Sequence, residues 1–238
     1  MAGGRISSRT ISIDTAGVQL TGDLAMAPGM DKLVVFVHGS GSSRMSPRNR
    51  YVANALNAAG LGTLLFDLLT PDEDSTDQVT RDLRFDIGLL SARVIGAVHW
   101  LIEWRPGKLP EDVAIGLFGA STGAAAALFA AAKAPHAISA VVSRGGRPDL
   151  AGAALALVQP PTLLIVGSED PQVMALNRQA LSRMRCTREL HTVPGATHLF
   201  EEPGALDEVI EATSRWFQQW LRHPRAWEVG ASVAPSLT

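Results

Sequence analysis

The sequence contains very little cysteine and has no long apolar run. Cys186 is the one cysteine among 238 residues, so no intramolecular disulfide can form. No apolar run approaches the roughly 20 residues that a bilayer-spanning helix needs. The first ten residues, MAGGRISSRT, contain no apolar core of a secretory signal. We therefore expect a cytoplasmic protein that has no membrane partner.

An excess of charge of one sign is also missing. The chain has 21 basic and 23 acidic residues and no basic block, so we expect no nucleic-acid partner. With 46% hydrophobic and 18% charged residues, the composition is typical of a globular protein. We predict a single domain over residues 1–238, with its core at about 8–222. The tail, 223–238, has two prolines and no periodic pattern, so we predict that it is loose.

Short apolar runs alternate with longer segments of helical periodicity. Residues 9–17 and 18–27 alternate apolar and polar side chains, as an antiparallel edge pair does. Residues 32–39, KLVVFVHG, are a continuous apolar run, which is typical of a strand buried on both faces. Strands that alternate with helices form parallel pairs through right-handed crossovers. We predict an α/β fold with about eight mostly parallel strands, helices on both faces and no large cap domain.

Two segments have neither pattern, and we predict that they are long loops. They are residues 70–84, which are acidic, and residues 145–160, which are too few for a separate cap domain. The candidate site should therefore be open, with only loop 70–84 able to cover it. The last predicted helix carries Trp216, Phe217 and Trp220, which we expect to pack in the core.

A serine flanked by glycines lies where an apolar run meets an alanine-rich run. Residues 119–123 read GASTG, between VAIGLF and AAAALFAAA. A strand that enters a helix through Gly-x-Ser-x-Gly makes a tight, strained turn. That turn lifts the serine hydroxyl above the carboxyl ends of the strands, where ligands bind in open α/β sheets. Ser121 is therefore a candidate nucleophile, and an ordinary flexible turn is the alternative.

Candidate partners for this serine follow it in the chain. A serine hydroxyl needs a base to take its proton, and a histidine base needs a carboxylate to orient it. Asp170 follows the apolar run LLIVG, and His198 lies in the loop before the last predicted helix. The order serine, acid, histidine is the one that this turn motif has in its usual fold. We predict that Ser121, Asp170 and His198 form a catalytic triad.

Other residues compete for two of these roles. Asp170 could cap a helix that begins at Pro171, alone or in addition, while Glu169 and Asp67 are alternative acids. His198 is preferred as the base because it alone combines a strand-end loop with the right chain order. The remaining histidines are His38, His99, His136, His191 and His223.

Acyl transfer also needs N–H donors for the negative charge that develops on the carbonyl oxygen. One donor would be the backbone N–H of Thr122, directly after the candidate nucleophile. The other is assigned to Ser40 in the loop HGSGSSR, with Gly41 as the alternative. His38 is interpreted as a residue that shapes this loop. We expect neither a metal nor another cofactor.

The four motifs VHGSGSS, GASTG, GSEDPQV and GATHLF together resemble the α/β-hydrolase family. Within it, they are most similar to the small, lidless branch of dienelactone-hydrolase-like proteins, over residues 8–222. The resemblance implies that the predicted triad is the catalytic one and that Ser40 and Thr122 are the oxyanion donors.

This chain departs from dienelactone hydrolases proper at one position. Those enzymes have a cysteine where this chain has Ser121, and Cys186 lies far from every motif. The resemblance therefore implies a general serine esterase, and we expect it to cleave small carboxylic esters through an acyl-enzyme intermediate. The same residues could serve a thioesterase, lactonase, amidase or perhydrolase, because the fold does not fix the substrate. A catalytically silent binding protein is the alternative from another class.

An arginine ends one of the predicted strands on the same rim. Arg144, in SRGGRPDL, is followed by two glycines and leaves a buried run. A guanidinium binds carboxylate or phosphate through paired hydrogen bonds. Arg144 could therefore line the pocket and favour substrates with an anionic group. The alternative is a structural ion pair with Asp149 or Glu201.

Overall fold

A computed structural model of the chain describes residues 6–103, 110 and 113–222. The predicted loose tail, 223–238, lies outside these residues. The strands are β1 (Ser7–Thr15), β2 (Val18–Met26), β3 (Lys32–Val37), β4 (Gly62–Phe66), β5 (Ala114–Ala120), β6 (Ala140–Arg144), β7 (Thr162–Gly167) and β8 (Arg188–Val193). The α-helices are α1 (Pro47–Ala58), α2 (Pro71–Thr80), α3 (Ile87–Glu103), α4 (Thr122–Lys133), α5 (Pro171–Arg183) and α6 (Ala205–Trp220).

Within the described residues the strands form one eight-stranded sheet in the order β1-β2-β4-β3-β5-β6-β7-β8. β1 pairs with β2, and β2 with β4, in antiparallel fashion. The remaining neighbours are parallel. The predicted α/β fold with an antiparallel edge pair is confirmed. The order reverses beside β3 and β5, so the loops after these two central strands meet at one place above the sheet.

The central strands are buried on both faces, as their continuous apolar runs predict. In β3, Leu33 and Val35 belong to the core layer that packs against α3 and α4. Their neighbours Val34 and Phe36 belong to the opposite layer, against α1 and α6. Successive side chains of a strand point to opposite faces, so both layers draw on the same six residues.

The aromatic residues of the last helix pack in the core, as predicted. Phe217 and Trp216 are buried in the layer between α6 and the sheet, and Trp220 packs against its edge. Gly116 of β5 makes room for this helix, since a Cβ there would lie 2.7 Å from the Phe217 ring. None of the described helices is long and apolar enough to cross a membrane.

The prediction of a long loop at residues 70–84 is wrong. Pro71–Thr80 forms α2, and Leu83–Phe85 forms a short 3₁₀ turn. A capping box begins the helix: Glu73 N–H donates to Thr70 Oγ1, and Thr70 N–H donates to the Glu73 carboxylate. Pro71 at the first helical position and acidic residues in the first turn favour the same start. Local capping thus makes a helix where no apolar periodicity exists.

Two ion pairs hold this helix, one to the turn that follows it and one to α3. Asp77 is 1% exposed and accepts hydrogen bonds from the Arg84 backbone N–H at 3.0 Å and from Arg84 Nε at 2.6 Å. Glu73 accepts from Nη2 of buried Arg93 in α3 at 2.7 Å. A buried ion pair fixes geometry through its hydrogen bonds, and losing one partner leaves the other uncompensated.

The prediction of a second long loop, at residues 145–160, is also wrong. Pro148–Leu157 forms 3₁₀ turns that are interrupted at Gly152, where φ is +55°. Small and apolar residues, among them Ala151 and Leu155, are buried in the layer that also holds α4. The alanine-rich surface of α4 permits this close packing, which the absence of a periodic pattern in the sequence concealed.

We predict that Asp77→Asn destabilises the fold by about 3 kcal/mol at neutral pH, because Arg84 loses its buried partner. For a chain of this size, that corresponds to a decrease in Tm of roughly 6–12 °C, measured by differential scanning calorimetry. Burial alone would raise the pKa of Asp77, but the hydrogen bonds and the charge of Arg84 lower it overall.

A lowered aspartate pKa stabilises the fold above the ordinary value near 3.9, and the contribution is lost as pH falls below it. The Tm difference between wild type and Asp77→Asn should therefore shrink below about pH 4. Asp82→Asn, an exposed aspartate of the same segment, is the control and should leave Tm within about a degree of wild type. Equal Tm values for the two variants at neutral pH would contradict the role given to Asp77.

Candidate active site

The backbone at Ser121 is strained. Its φ and ψ are +52° and −123°, between the end of β5 and the start of α4. A non-glycine residue rarely adopts such angles, which cost of order 1–3 kcal/mol. Three backbone hydrogen bonds hold the turn: Ser121 N–H donates to Arg144 O, while Ala124 N–H and Arg147 N–H donate to Ser121 O. The turn is thus built into the junction of β5, β6 and α4.

The glycines on either side permit this turn. A Cβ at Gly119 would lie 2.5 Å from Ala124 Cα, within the helix that follows. A Cβ at Gly123 would lie 2.2 Å from Val37 O and 2.3 Å from His38 O, at the end of β3. Backbone atoms cannot yield to such contacts, so both positions require glycine.

The structure brings together the three residues that the sequence predicts as a triad. Ser121 Oγ lies 3.4 Å from His198 Nε2, and His198 Nδ1 lies 2.7 Å from Asp170 Oδ2. A carboxylate accepts hydrogen bonds, so the imidazole proton lies on Nδ1 and the lone pair of Nε2 faces the serine. The Asp170 side chain is 14% exposed and that of His198 is 40% exposed, so the base is accessible from solvent.

Asp170 makes both contacts that its sequence position allows. Its Oδ2 binds His198, and its Oδ1 accepts from Val173 N–H at 3.3 Å, which caps α5 before Pro171. The two oxygens of one carboxylate thus fix both the imidazole and the start of a helix.

The alternative acids point elsewhere. Glu169 is exposed and accepts a hydrogen bond from Ser168 Oγ at 3.1 Å. Asp67 binds Arg44 through both the backbone N–H and the guanidinium. Neither carboxylate contacts His198 within hydrogen-bonding distance.

Four of the other histidines are exposed or bound to other residues. His99 and His136 are exposed on the surface. His191 binds Glu208 of α6 at 2.9 Å. His38 is buried and makes two hydrogen bonds: Leu68 N–H donates to its Nε2 at 3.0 Å, and its Nδ1 donates to Gly39 O at 3.0 Å. These bonds fit the prediction that His38 shapes its loop. The last, His223, lies outside the described residues.

Burial lowers the pKa of His38, although the hydrogen bond to Gly39 and the nearby charges of Asp67 and Asp74 act in the opposite direction. The ring therefore stays neutral at physiological pH and keeps its acceptor for Leu68. It joins the loop after β3 to the end of β4.

The two predicted oxyanion donors adjoin each other, but one of them is engaged. Thr122 is the first residue of α4, so its N–H has no acceptor within the helix. Ser40 N–H donates to Thr122 Oγ1 at 2.8 Å, and the two hydroxyl oxygens are also 2.8 Å apart. No sequence pattern predicts this contact. In the described part of the chain Gly41 N–H has no hydrogen-bond acceptor, so the alternative donor is the available one.

A cavity of about 330 Å³ opens beside these donors. It lies between the loop after β3, the end of β4 and α2, and its lining includes Ser40, Gly41 and Thr122. Ser121 and His198 are not among its lining residues, so it adjoins the serine from the side of the oxyanion donors. Segment 70–84 therefore forms a wall beside the site, as a helix and not as a loop.

Arg144 forms neither of the predicted ion pairs. Asp149 binds Arg147, and Glu201 binds Arg48. Arg144 is 8% exposed, its guanidinium lies 5.9 Å from the centre of the Phe200 ring, and its buried Nη1 has no hydrogen-bond partner among the described residues. Burial and, second, the charge of Arg48 lower the pKa of Arg144 to about 10.

The expectation of an ion pair with Asp149 or Glu201 is therefore wrong. Both carboxylates form ion pairs with other arginines, Asp149 with Arg147 and Glu201 with Arg48. Arg144 is not a lining residue of the cavity described above, and whether it contacts substrate stays a prediction. Among the described residues no group of three or more His, Cys, Asp or Glu side chains could hold a metal ion.

Comparison with known proteins identifies the family of this chain. The sequence model of the dienelactone hydrolase family matches residues 50–223. The chain belongs to the dienelactone hydrolase family. A crystal structure of the dienelactone hydrolase from Anabaena variabilis ATCC 29413 is 52% identical, with a TM-score of 0.88 over 91% of this chain and 99% of that one.

A more distant structure shows the same fold. The Pyrococcus furiosus esterase PF2001 is 19% identical, with a TM-score of 0.72 over 91% of this chain and 92% of that one. A Mycobacterium tuberculosis (strain H37Rv) protein named "Putative phosphoribosyl transferase" is 49% identical over 214 residues, which are 90% of this chain. The chain spans 47% of the length of that relative.

We predict that Gly123→Ala disrupts the turn of this dienelactone hydrolase family member. The new Cβ would meet two backbone carbonyl oxygens at about 2.2–2.3 Å, so β3 and α4 must separate. The expected result is a decrease in Tm of several degrees or a failure to fold, measured by circular dichroism. Gly88→Ala, in α3, is the matched control: its Cβ meets only a side-chain oxygen, and alanine favours a helix. A Tm for Gly123→Ala at or above that of the control would contradict this reading of the turn.

Proposed function

We propose that the protein is a serine hydrolase that cleaves carboxylic esters through an acyl-enzyme intermediate. The observation that carries the proposal is the continuous contact from Ser121 Oγ through His198 to Asp170, on a serine whose strained backbone lifts it above the sheet. A protein that only binds a ligand needs neither the base nor the orienting carboxylate. Membership of a hydrolase family and the fold shared with an esterase support the same conclusion.

In the first half-reaction, Ser121 Oγ attacks the ester carbonyl carbon while His198 Nε2 takes the hydroxyl proton. Asp170 stabilises the imidazolium that forms, through the hydrogen bond at Nδ1. When the tetrahedral intermediate collapses, the bond from carbon to the alcohol oxygen breaks and Nε2 returns its proton to the leaving alcohol. The 3.4 Å separation of Oγ and Nε2 must shorten slightly for this transfer, as is common in ligand-free hydrolases.

In the second half-reaction, water replaces the alcohol. His198 removes a proton from the water, the hydroxide attacks the acyl carbon, and the proton passes to Ser121 Oγ as the carboxylic acid leaves. The 40% exposure of the His198 side chain lets water reach Nε2 from solvent. The triad thus returns to its starting protonation state after each turnover.

The oxyanion of both tetrahedral intermediates would be bound by Thr122 N–H and by a second donor from the loop after β3. Gly41 is favoured as this second donor, because Ser40 N–H already donates to Thr122 Oγ1. For Ser40 N–H to bind the oxyanion, its hydrogen bond to Thr122 Oγ1 would first have to break. Either arrangement would supply the two N–H donors that an oxyanion needs.

The same machinery would act on a thioester, a lactone or an amide, because only the leaving atom differs. The open rim around His198 and the absence of a cap domain over the described residues favour small, exposed esters. The transferase name of the mycobacterial relative belongs to a protein about twice as long, and the triad is the chemistry that this chain's own residues support. A location in the cytoplasm fits this proposal and stays a prediction.

We predict that Ser121→Ala abolishes both ester hydrolysis and labelling by a fluorophosphonate probe. Turnover of 4-nitrophenyl acetate should fall by about 10⁴-fold or more, because members of a triad act as a unit. Ser182→Ala removes an exposed hydroxyl on α5 and serves as the control that keeps both activities. Wild-type protein that neither hydrolyses the ester nor reacts with the probe would identify a silent binding protein. Labelling that persists in Ser121→Ala would identify another nucleophile.

We predict that Asp170→Asn reduces kcat by about 10³–10⁴-fold without unfolding the protein. Asparagine caps helices as well as aspartate does, so α5 keeps its N-terminus. Its neutral amide, however, neither stabilises the imidazolium nor keeps the imidazole proton on Nδ1 as a carboxylate does. The adjacent Glu169→Gln is the matched control and should retain wild-type kcat. Loss of activity in Glu169→Gln with activity retained in Asp170→Asn would exchange the roles of the two acids.

A further inference from the structure

The cavity beside the oxyanion donors has no assigned occupant. Its lining includes Ser40, Gly41 and Thr122, so a group that fills it lies next to the carbonyl oxygen of a bound ester. Its volume of about 330 Å³ is at the lower end of the range for small-ligand pockets. A substituent of the ester, and not a large second molecule, is the occupant of matching size.

The cavity is preformed, because its walls are fixed by buried contacts. α2 is held by the Asp77–Arg84 and Glu73–Arg93 ion pairs. Ser40 lies against Arg84, with its Oγ 3.5 Å from Arg84 O. An occupant therefore meets side chains whose positions are set before it binds.

The charges around the cavity do not cancel. Its lining contains three carboxylates and two guanidinium groups, namely Asp67, Asp74, Asp77, Arg44 and Arg84. Arg44 pairs with Asp67, and Arg84 pairs with Asp77.

Asp74 has no cation within ion-pairing distance among the described residues. Its hydrogen-bond partner is the neutral amide of Gln78, whose Nε2 donates at 3.1 Å. Asp74 is one of the residues that line the cavity, so it lies on the cavity side of α2. The cavity thus presents one uncompensated negative charge.

We propose that this cavity binds one substituent of the ester substrate and that Asp74 makes it accept a neutral or a cationic group and disfavour an anionic one. The proposal rests on the function proposed above and names the substrate class for the same site. It concerns this cavity alone and is separate from the anionic preference that Arg144, which does not line the cavity, would give.

The test compares esters of equal size and different charge in two series. The acyl series consists of 4-nitrophenyl esters of hexanoate, 6-aminohexanoate and adipate. The alcohol series consists of acetate esters of 3,3-dimethylbutanol, choline and 3-hydroxypropanesulfonate. In the series whose variable group enters the cavity, kcat/KM of the anionic member should lie about fivefold or more below that of the neutral one, and the gap should narrow with salt.

Asp74→Asn should reduce this ratio of neutral to anionic kcat/KM by about fivefold. Asp72→Asn is the matched control: Asp72 is in the same first turn of α2, is exposed and does not line the cavity, so the ratio should keep its wild-type value. An equal change of the ratio in both variants would mean that the effect comes from the net charge of α2 and not from Asp74 in the cavity, which would overturn the proposal.

Three results overturn this inference and leave ester hydrolysis established: equal rates across both series, a ratio unaffected by Asp74→Asn in both series, or a preference for the anionic member in both series. If Arg144→Lys then abolishes such a preference, Arg144 is the specificity residue. Absence of turnover for every neutral ester, with no fluorophosphonate labelling, would instead overturn the proposed function itself.

Discussion

The site depends on the strained backbone of Ser121, which in turn depends on how closely β3, β5 and α4 approach. A φ of +52° at a serine costs of order 1–3 kcal/mol and persists only where the surroundings leave no other path for the chain. Gly123 allows α4 to begin against the last carbonyls of β3, and Arg144 O accepts the Ser121 N–H from β6. The packing that stabilises the sheet therefore also orients the Ser121 hydroxyl. A looser junction of β3, β5 and α4 would lower the stability of the sheet and let the hydroxyl change its position.

The other two members of the candidate triad reach the serine from the ends of neighbouring parallel strands. Asp170 follows β7 and His198 follows β8, so the crossover topology delivers both to the rim where β5 ends. Phe200, two residues after His198, has a φ of +56°, and its ring lies under the buried Arg144 guanidinium. A desolvated cation–π contact of about 2 kcal/mol is comparable with the cost of that backbone conformation. The loop that holds the base is thus fastened from below by a strand-end residue.

The central sheet and the triad geometry were predictable because each rests on a local pattern with a single physical meaning. A continuous apolar run marks a strand buried on both faces, and glycines around a serine at a strand–helix junction mark the turn. Helix α2 was not predicted, because Pro71–Thr80 has no apolar face and a search for apolar periodicity cannot detect such a helix. The capping signal at Thr70 and Glu73 was present in the sequence and would have identified the start of the helix. The partners of Arg144 were beyond prediction, since Asp149 lies nearer to Arg147 in sequence and Glu201 meets Arg48 only through the fold.

The ionic groups around the site fall into two arrangements with different consequences. On the side of α2, guanidinium groups are matched to carboxylates through short hydrogen bonds, as in Arg84 with Asp77, so they fix the wall and contribute little net field. On the side of α1 and α6, the desolvated guanidinium of Arg144 lies over the Phe200 ring. The positive charge of Arg48 is close enough to lower the pKa of Arg144. The positive charge of Arg144 on one side and the carboxylate of Asp74 on the other set a polarity across Ser121. Under the proposed function, a bound ester would have to align its substituents with that polarity. Selectivity for charge would then follow from where the fold leaves ions unpaired, while the proposed triad would determine only which bond is cleaved.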